Sequence, residues 1–146
     1  SNVIMGYDKL GQYQQLIQAA LRAIRYQEQH QVRPRAPIPH RLIGGALVKL
    51  GRSEEAVTYY QKAGEIFREN GDPRGIAIFE NQLGEFYVNV NRPADAVPHY
   101  RECLKMAEQM KFELLQFDAL DGLANAYRAL NRLPEGFTFA RRALAI

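Results

Sequence analysis

The sequence predicts an all-α solenoid, in which stacked pairs of antiparallel helices share a continuous core. The first observation is a period of forty residues, since Gly51-Arg52, Asn91-Arg92 and Asn131-Arg132 occupy the same place in successive segments. The second is the apolar spacing between these dipeptides, which follows the three- and four-residue steps of a helix. A fixed period of this kind is typical of folds in which each unit buries its apolar face against its neighbours.

Turn and capping residues place the helices along the chain. The segment 32–39 contains three prolines, so it is predicted to link two helix pairs. Ser53 is predicted to cap one helix and Asp72 another, and Gly71 is expected to adopt the left-handed conformation between them. Pro98 lies inside a predicted helix, which it would bend unless the first turn tolerates it. The predicted helices are 12–30, 39–50, 53–69, 73–90, 93–109, 113–130 and 134–145.

Small residues recur at one point of each predicted helix pair. Gly44, Gly84 and Ala124 are forty residues apart, and we expect them to let the paired helix approach closely. Cys103 stands where the other segments carry alanine, which favours a buried packing residue over a reactive thiol.

Composition narrows the classes of protein that fit the chain. Its 146 residues suffice for one domain or a short stack of repeats, and no apolar run approaches the roughly 18 residues of a membrane helix. We therefore expect a soluble protein. No secretory signal is visible and there is one cysteine, so a cytoplasmic location is expected. Ser1-Asn2 is typical of a protease-cleavage scar, which predicts that the chain is a fragment of a longer protein.

The residues that recur every forty positions resemble the tetratricopeptide repeat. A unit of that repeat has Leu-Gly-x-x-Tyr in its first helix, glycine at the turn and Ala-x-x-x-Tyr-x-x-Ala in its second helix. The forty-residue period is similar to the longer subclass found in kinesin light chains, the partner-of-inscuteable group and bacterial signalling regulators. The later junction Met110-Lys111-Phe112-Glu113 departs from the Asn-Gly-Asp-Pro pattern at 70–73. The fullest match comprises Leu83, Gly84, Tyr87, Asn91, Ala96, Tyr100 and Cys103.

The resemblance implies a right-handed α-solenoid of antiparallel helix pairs, with seven helices in about 3.5 repeats. Residues 1–31 would form a partial repeat, containing the end of a first helix and a complete second helix. Full repeats are expected at 32–71 and 72–111, followed by a last repeat at 112–146.

The resemblance also implies a concave groove lined by the first helix of each pair. An amide offers a donor and an acceptor together, so Asn81 and Asn125 are expected to hold an extended peptide backbone, unless they are ordinary surface. Asp118 stands where chaperone-binding members of the family need a cation, which excludes their clamp for a terminal carboxylate. Mixed charges favour a peptide or helix carrying both signs. The predicted peptide-binding residues are Arg41, Val48, Asn81, Gln82, Glu85, Asn89, Asp118, Asp121, Asn125 and Arg128.

These features favour a non-catalytic module that binds another protein or a peptide. The alternative is a regulatory or sensor segment of a larger signalling protein, holding an effector or an intramolecular domain. The histidines His30, His40 and His99 lack metal-ligand spacing and no phosphate loop is present, so no enzyme activity, metal or cofactor is expected.

Two further groups of residues concern binding partners. Basic residues in the first third of the chain are predicted to form a solvent-exposed helix face. They are also the only feature of the sequence that supports binding of nucleic acid. These residues are Arg22, Arg25, Arg33, Arg35 and Arg41. The apolar C-terminal end predicts either self-association there or continuation of the natural chain. Its members are Phe137, Phe139, Ala140, Ala143, Leu144 and Ile146.

Overall fold

A computed structural model describes residues 2–146, with side chains described from Lys9 onward. Ser1, where the cleavage scar was predicted, lies outside the described residues. The described residues form α-helices without strands, which confirms the all-α class, and each predicted helix boundary agrees within one residue except the start of the first helix. The helices are α1 (Asn2–Gln29), α2 (Ile38–Lys49), α3 (Ser53–Asn70), α4 (Pro73–Asn89), α5 (Pro93–Gln109), α6 (Glu113–Ala129) and α7 (Leu133–Leu144).

Helix α1 differs from the prediction. It is one helix of 28 residues, so residues 1–31 do not hold the end of one helix followed by a second. The physical reason is that no proline or turn interrupts it. Gly11 lies in its interior, where glycine costs only about 1 kcal/mol relative to alanine. Helix α2, which packs against α1, has 12 residues and therefore covers less than half of its length.

Packing divides the chain into two compact units, Ser1–Gly71 and Asp72–Ile146. The division coincides with a predicted repeat boundary. In the first unit, α2 packs against both α1 and α3. In the second unit, α5 packs against α4 and α6, and α6 also packs against α4 and α7. Connections of three residues join the helices that follow α4, so consecutive helices there run antiparallel.

A residue with left-handed backbone follows a helix end at every twentieth position. These residues are Gln31, Gly51, Gly71, Lys111, Asn91 and Asn131. After most of them the next backbone N–H donates back to a carbonyl five residues earlier, as Arg52 does to Leu47 at 2.8 Å and Phe112 to Ala107 at 2.9 Å. The left-handed Gly71 is confirmed, with φ of 66°. Lys111 makes the same kind of turn with φ of 55°, although its junction departs from the pattern in sequence.

The helix starts differ from the predicted capping. Ser53 is the first residue of α3 rather than its N-cap, which is Arg52. Asp72 does occupy the N-cap position of α4, but its side chain makes no capping hydrogen bond. The Arg52 guanidinium instead bonds the Glu55 carboxylate, with Nη2 and Oε2 2.6 Å apart, and so lowers the pKa of Glu55. The same pair recurs as Arg92–Asp95 and Arg132–Glu135, which explains the repeated arginine.

The proline-rich link between α1 and α2 is fastened to the end of α3. Arg35 Nη2 lies 2.7 and 2.6 Å from the two carboxylate oxygens of Glu69, whose pKa it lowers. The side-chain amide of Asn70 donates to the Arg35 carbonyl at 2.8 Å. Arg35 was predicted to belong to a solvated basic face, but its guanidinium is engaged within the first unit.

Two predicted features of α5 have clear outcomes. The helix continues through Pro98, its sixth residue. Cys103 has no exposed surface, and burial raises the pKa of its thiol to about 12. A thiol with such a pKa stays protonated at neutral pH, so the prediction of a packing residue is confirmed.

A buried carboxylate between α4 and α5 was not predicted. Glu80 is 2% exposed, and its Oε2 lies 2.7 Å from Nδ1 of His99. The His99 ring stacks on Tyr87, with centroids 5.3 Å apart. Forty residues later, Phe139 stacks on Tyr127 at 5.5 Å, so the aromatic stack repeats although one ring changes from imidazole to phenyl. His99 therefore serves packing and a buried polar pair.

Replacing Lys111 by glycine is expected to stabilise the second unit. A side chain in the left-handed region carries a steric cost of about 1–2 kcal/mol, part of which the unfolded-state entropy of glycine offsets. We expect Lys111→Gly to raise the free energy of unfolding by roughly 0.5–1 kcal/mol in urea denaturation followed by circular dichroism. The control Lys105→Gly, on the exposed side of α5, should lower it by about 1 kcal/mol. Equal losses in both variants would contradict the assignment.

Candidate functional site

The candidate residues of the second unit lie on two helices that contact each other. Within residues 72–146, α4 and α6 approach directly, whereas α5 and α7 do not. We call the side of this unit formed by α4 and α6 its inner side, and Glu85 of α4 interacts electrostatically with Asp118 of α6 there. Arg41 and Val48 lie on α2 in the first unit, where both are partly exposed.

Exposure differs between the two helices. On α4, Asn81 is buried, Gln82 is partly exposed, and Glu85 and Asn89 are exposed. On α6 the four predicted residues, Asp118, Asp121, Asn125 and Arg128, are all exposed. The position of these side chains on one surface fits the predicted groove, and their role in binding stays a prediction.

The ring of Tyr100 lies between α4 and α6, although the residue belongs to α5. A Cβ added to Gly84 would lie 2.6 Å from Cε1 of this ring, and one added to Gly122 would also overlap it. Gly84 was predicted to admit a neighbouring helix, but the group that it admits is this aromatic ring. In the first unit, Gly44 accommodates Tyr60 in the same way, with 2.7 Å from an added Cβ to Cδ2.

Two carboxylates, those of Glu85 and Asp121, lie near the Tyr100 ring, and that of Asp118 lies near Glu85. Glu85 and Asp121 are the sequence neighbours of the two glycines, and Asp118 lies one helical turn before Asp121. Burial, followed by the charges of Glu85 and Asp121, raises the pKa of Tyr100. Partial loss of solvent around the exposed Glu85 carboxylate, followed by the charge of Asp118, raises the pKa of Glu85. We call Glu85, Asp118 and Asp121 the acidic cluster.

The acidic cluster has only amide partners within the described part of the chain. Glu85 accepts a hydrogen bond from the side-chain amide of Asn81 at 3.5 Å, and Asp121 accepts one from Asn125 at 3.4 Å. Both distances are long, and none of the three carboxylates forms an ion pair with a residue from 9 to 146, the part of the chain whose side chains are described. Asn81 is 8% exposed, and its Oδ1 is buried without a hydrogen-bond partner.

Sequence reasoning missed Tyr100 as part of this site, because its spacing marks it as a core residue. It also expected the Asn81 side chain to be accessible to a peptide in the groove, whereas the structure buries it. The sequence does contain a signal for this close packing. Gly122 stands forty residues after Gln82, so a glycine occupies the position at which the preceding repeat has a long side chain.

The predicted apolar C-terminal end is divided by the structure. Phe139 and Ala143 are buried within the second unit, which corrects their assignment to an exposed surface. Phe137, Leu144 and Ile146 are exposed, and Leu144 is 84% exposed. A cavity of about 240 Å³ lies beside this surface, lined by Arg128, Leu133, Gly136, Phe137 and Ala140.

Comparison with known proteins identifies the family. A family model described as tetratricopeptide repeat matches residues 35–109, which are more than half of the chain, and a second with the same description matches residues 118–146. The chain belongs to the tetratricopeptide repeat family. No sequence among the curated proteins matches it significantly. Across residues 2–146, no helix of this tetratricopeptide repeat protein has the length and apolar character needed to cross a membrane.

A solved structure supports the same fold. The N-terminal domain of stress-induced protein-1 from C. elegans is similar with a TM-score of 0.62 and 22% sequence identity. The similarity covers 75% of this chain and 83% of that chain. The tetratricopeptide repeat assignment therefore agrees between sequence and structure.

Replacing Gly84 by alanine is expected to destabilise the second unit. The new Cβ would overlap the Tyr100 ring, and forcing extra volume into a packed core costs about 1–3 kcal/mol. Chemical denaturation of Gly84→Ala should show a loss of this size. The control Gly11→Ala lies in a helix with no atom within 4 Å of the added Cβ. It should gain about 1 kcal/mol from helix propensity. A neutral Gly84→Ala would show that the ring does not need this space.

Replacing Asn81 by leucine is expected to stabilise the protein. Leucine has the same branched shape, although its methyl groups are larger, and it removes a buried oxygen that lacks a donor, a defect worth about 1–3 kcal/mol. We expect Asn81→Leu to raise the free energy of unfolding by roughly 1 kcal/mol. The matched change Asn125→Leu replaces an exposed amide and should stay within about 0.5 kcal/mol. A marked loss of stability in Asn81→Leu would mean that the amide serves the fold instead of a ligand.

Proposed function

We propose that this chain is a non-catalytic protein-interaction module, whose second unit binds a peptide or helix of another protein on the face formed by α4 and α6. The observation that carries the proposal is the acidic cluster, whose carboxylates have no cationic partner among the described residues. Family membership supports it, since tetratricopeptide repeats are generally interaction folds. Exposed carboxylates that have no fixed partner leave their acceptor sites open to a ligand that donates hydrogen bonds.

The dimensions of this face suit a short segment. The candidate residues of α6 extend from Asp118 to Arg128, which corresponds to about 15 Å along the helix axis. Packed helices lie 8–10 Å apart. A surface about 15 Å long and two helices wide accommodates about four or five residues of an extended peptide, or nearly three turns of a helix. We therefore propose a linear segment as the ligand.

Charge reversal on α6 tests the proposal. The immobilised chain would capture proteins from a lysate of the source cells, with quantitative mass spectrometry of the wild type and of Asp121→Lys and Arg128→Glu. We expect a specific partner to lose at least about tenfold in recovery with Asp121→Lys, because a reversed charge at a complementary surface costs more than 1 kcal/mol. Circular dichroism would establish that each variant folds.

The matched control is Glu102→Lys, which makes the same charge change on an exposed position of α5. Recovery of the partner should be unchanged in this variant. If Asp121→Lys and Arg128→Glu capture the partner as the wild type does, the face formed by α4 and α6 is not its binding site.

A further inference from the structure

We propose that the acidic cluster receives an arginine or lysine side chain of the bound segment. This inference rests on the proposed function, because it names the residue type that the binding face selects. The site consists of Glu85, Asp118 and Asp121, together with Asn81 and the hydroxyl of Tyr100. The ligand chemistry is a cation with several hydrogen-bond donors.

The first argument is that the site contains acceptors without matching donors. A carboxylate only accepts hydrogen bonds when ionised, and three carboxylates come together here. Asn81 is more than nine-tenths buried, its amide faces Glu85, and its Oδ1 has no donor. A buried acceptor without a donor is rare in folded proteins, and the N–H groups of a bound cationic side chain would satisfy the adjoining carboxylates.

The second argument is electrostatic. The charge of Asp118 contributes to the raised pKa of Glu85, so the two carboxylates repel each other in the unbound chain. A cation placed between them relieves this repulsion and lowers the pKa of Glu85. The arginines that pair with carboxylates at the helix turns, such as Arg132 with Glu135, are engaged there. Arg128 on α6 forms no ion pair with the acidic cluster among the described residues.

The geometry favours an organic cation over a metal ion. No group of three acidic, histidine or cysteine side chains among the described residues is arranged to hold a metal. A metal ion needs its oxygen ligands within about 2.6 Å of one point. A guanidinium presents five N–H donors around a plane, and an ammonium presents three on a flexible stem. Either group can therefore bond carboxylates that are too far apart to share one ion.

The position of Tyr100 makes the site rigid. Gly84 and Gly122 hold its ring between α4 and α6, so its hydroxyl stays next to Glu85 and Asp121. A hydroxyl that is fixed in place can accept a hydrogen bond from the bound cation without a large loss of side-chain entropy. The same packing orients both helices, and the carboxylates next to the two glycines need little rearrangement on binding.

The test uses four pools of fluorescein-labelled decapeptides, randomised except at a fixed central residue. That residue is arginine, lysine, citrulline or glutamate, and citrulline has the shape of arginine without its charge. Fluorescence polarisation would measure affinity, and amide chemical shifts would show where each pool binds. We expect the arginine and lysine pools to bind the wild-type chain about fivefold or more tightly than the citrulline pool. The glutamate pool should bind most weakly.

Variants then assign this preference to the acidic cluster. Glu85→Gln and Asp118→Asn should each reduce the preference for arginine over citrulline about threefold or more, because the arginine pool loses more affinity than the uncharged citrulline pool. The control Glu102→Gln removes the same charge from α5 and should keep the full preference. Raising the ionic strength should weaken the arginine preference of the wild type as well.

The outcomes separate the two proposals. If all pools shift amides of α4 and α6 but arginine and citrulline bind equally, the cationic pocket is wrong and the proposed function stands. If the arginine preference survives both Glu85→Gln and Asp118→Asn, the acidic cluster is not its source, and the inference is overturned. If no pool shifts α4 or α6, both proposals fail together.

Discussion

The contact between Tyr100 and the glycines of α4 and α6 is the interaction on which the candidate site depends. One aromatic ring from α5 sets how closely the two inner helices of the second unit approach. Glu85 and Asp121 adjoin these glycines, so the packing of the ring also determines which carboxylates face each other. Core packing and the recognition surface thus share a single set of positions, and a substitution in the core would move the surface.

Much of the fold could be predicted because proline, glycine and asparagine mark the helix ends directly. The predicted caps and helix boundaries are wrong where side-chain pairing or the repeat register conflicts with the local residue preference. Ser53 has the chemistry of a cap, but the pairing of Arg52 with Glu55 occupies that turn. Residues 2–29 carry no helix-breaking signal, and the division into two helices came from the repeat register instead of from local chemistry. Lys111 has no propensity for left-handed backbone, so only its distance of forty residues from Gly71 indicates the turn.

The candidate site was predicted in part. Helical spacing places polar residues of α4 and α6 on one side, which requires no knowledge of packing. Burial of Asn81 depends on how closely α6 approaches α4, and the sequence shows this approach only through Gly122. The missing partners of the acidic cluster were also invisible, because ion pairing depends on distances between helices. Sequence spacing therefore identifies the residues, whereas packing determines which of them lack partners.

The even interval between left-handed residues has a consequence for how such a chain can lengthen. The turns within helix pairs and the turns between them follow the same spacing of twenty residues. Their left-handed residues are at positions 31, 51, 71, 91, 111 and 131. Copying any forty-residue block in tandem therefore recreates a complete turn at the new junction, with the backbone already suited to it. Growth by duplication needs no newly evolved loop, and only the side chains on the inner faces must diversify for the copies to acquire different ligands.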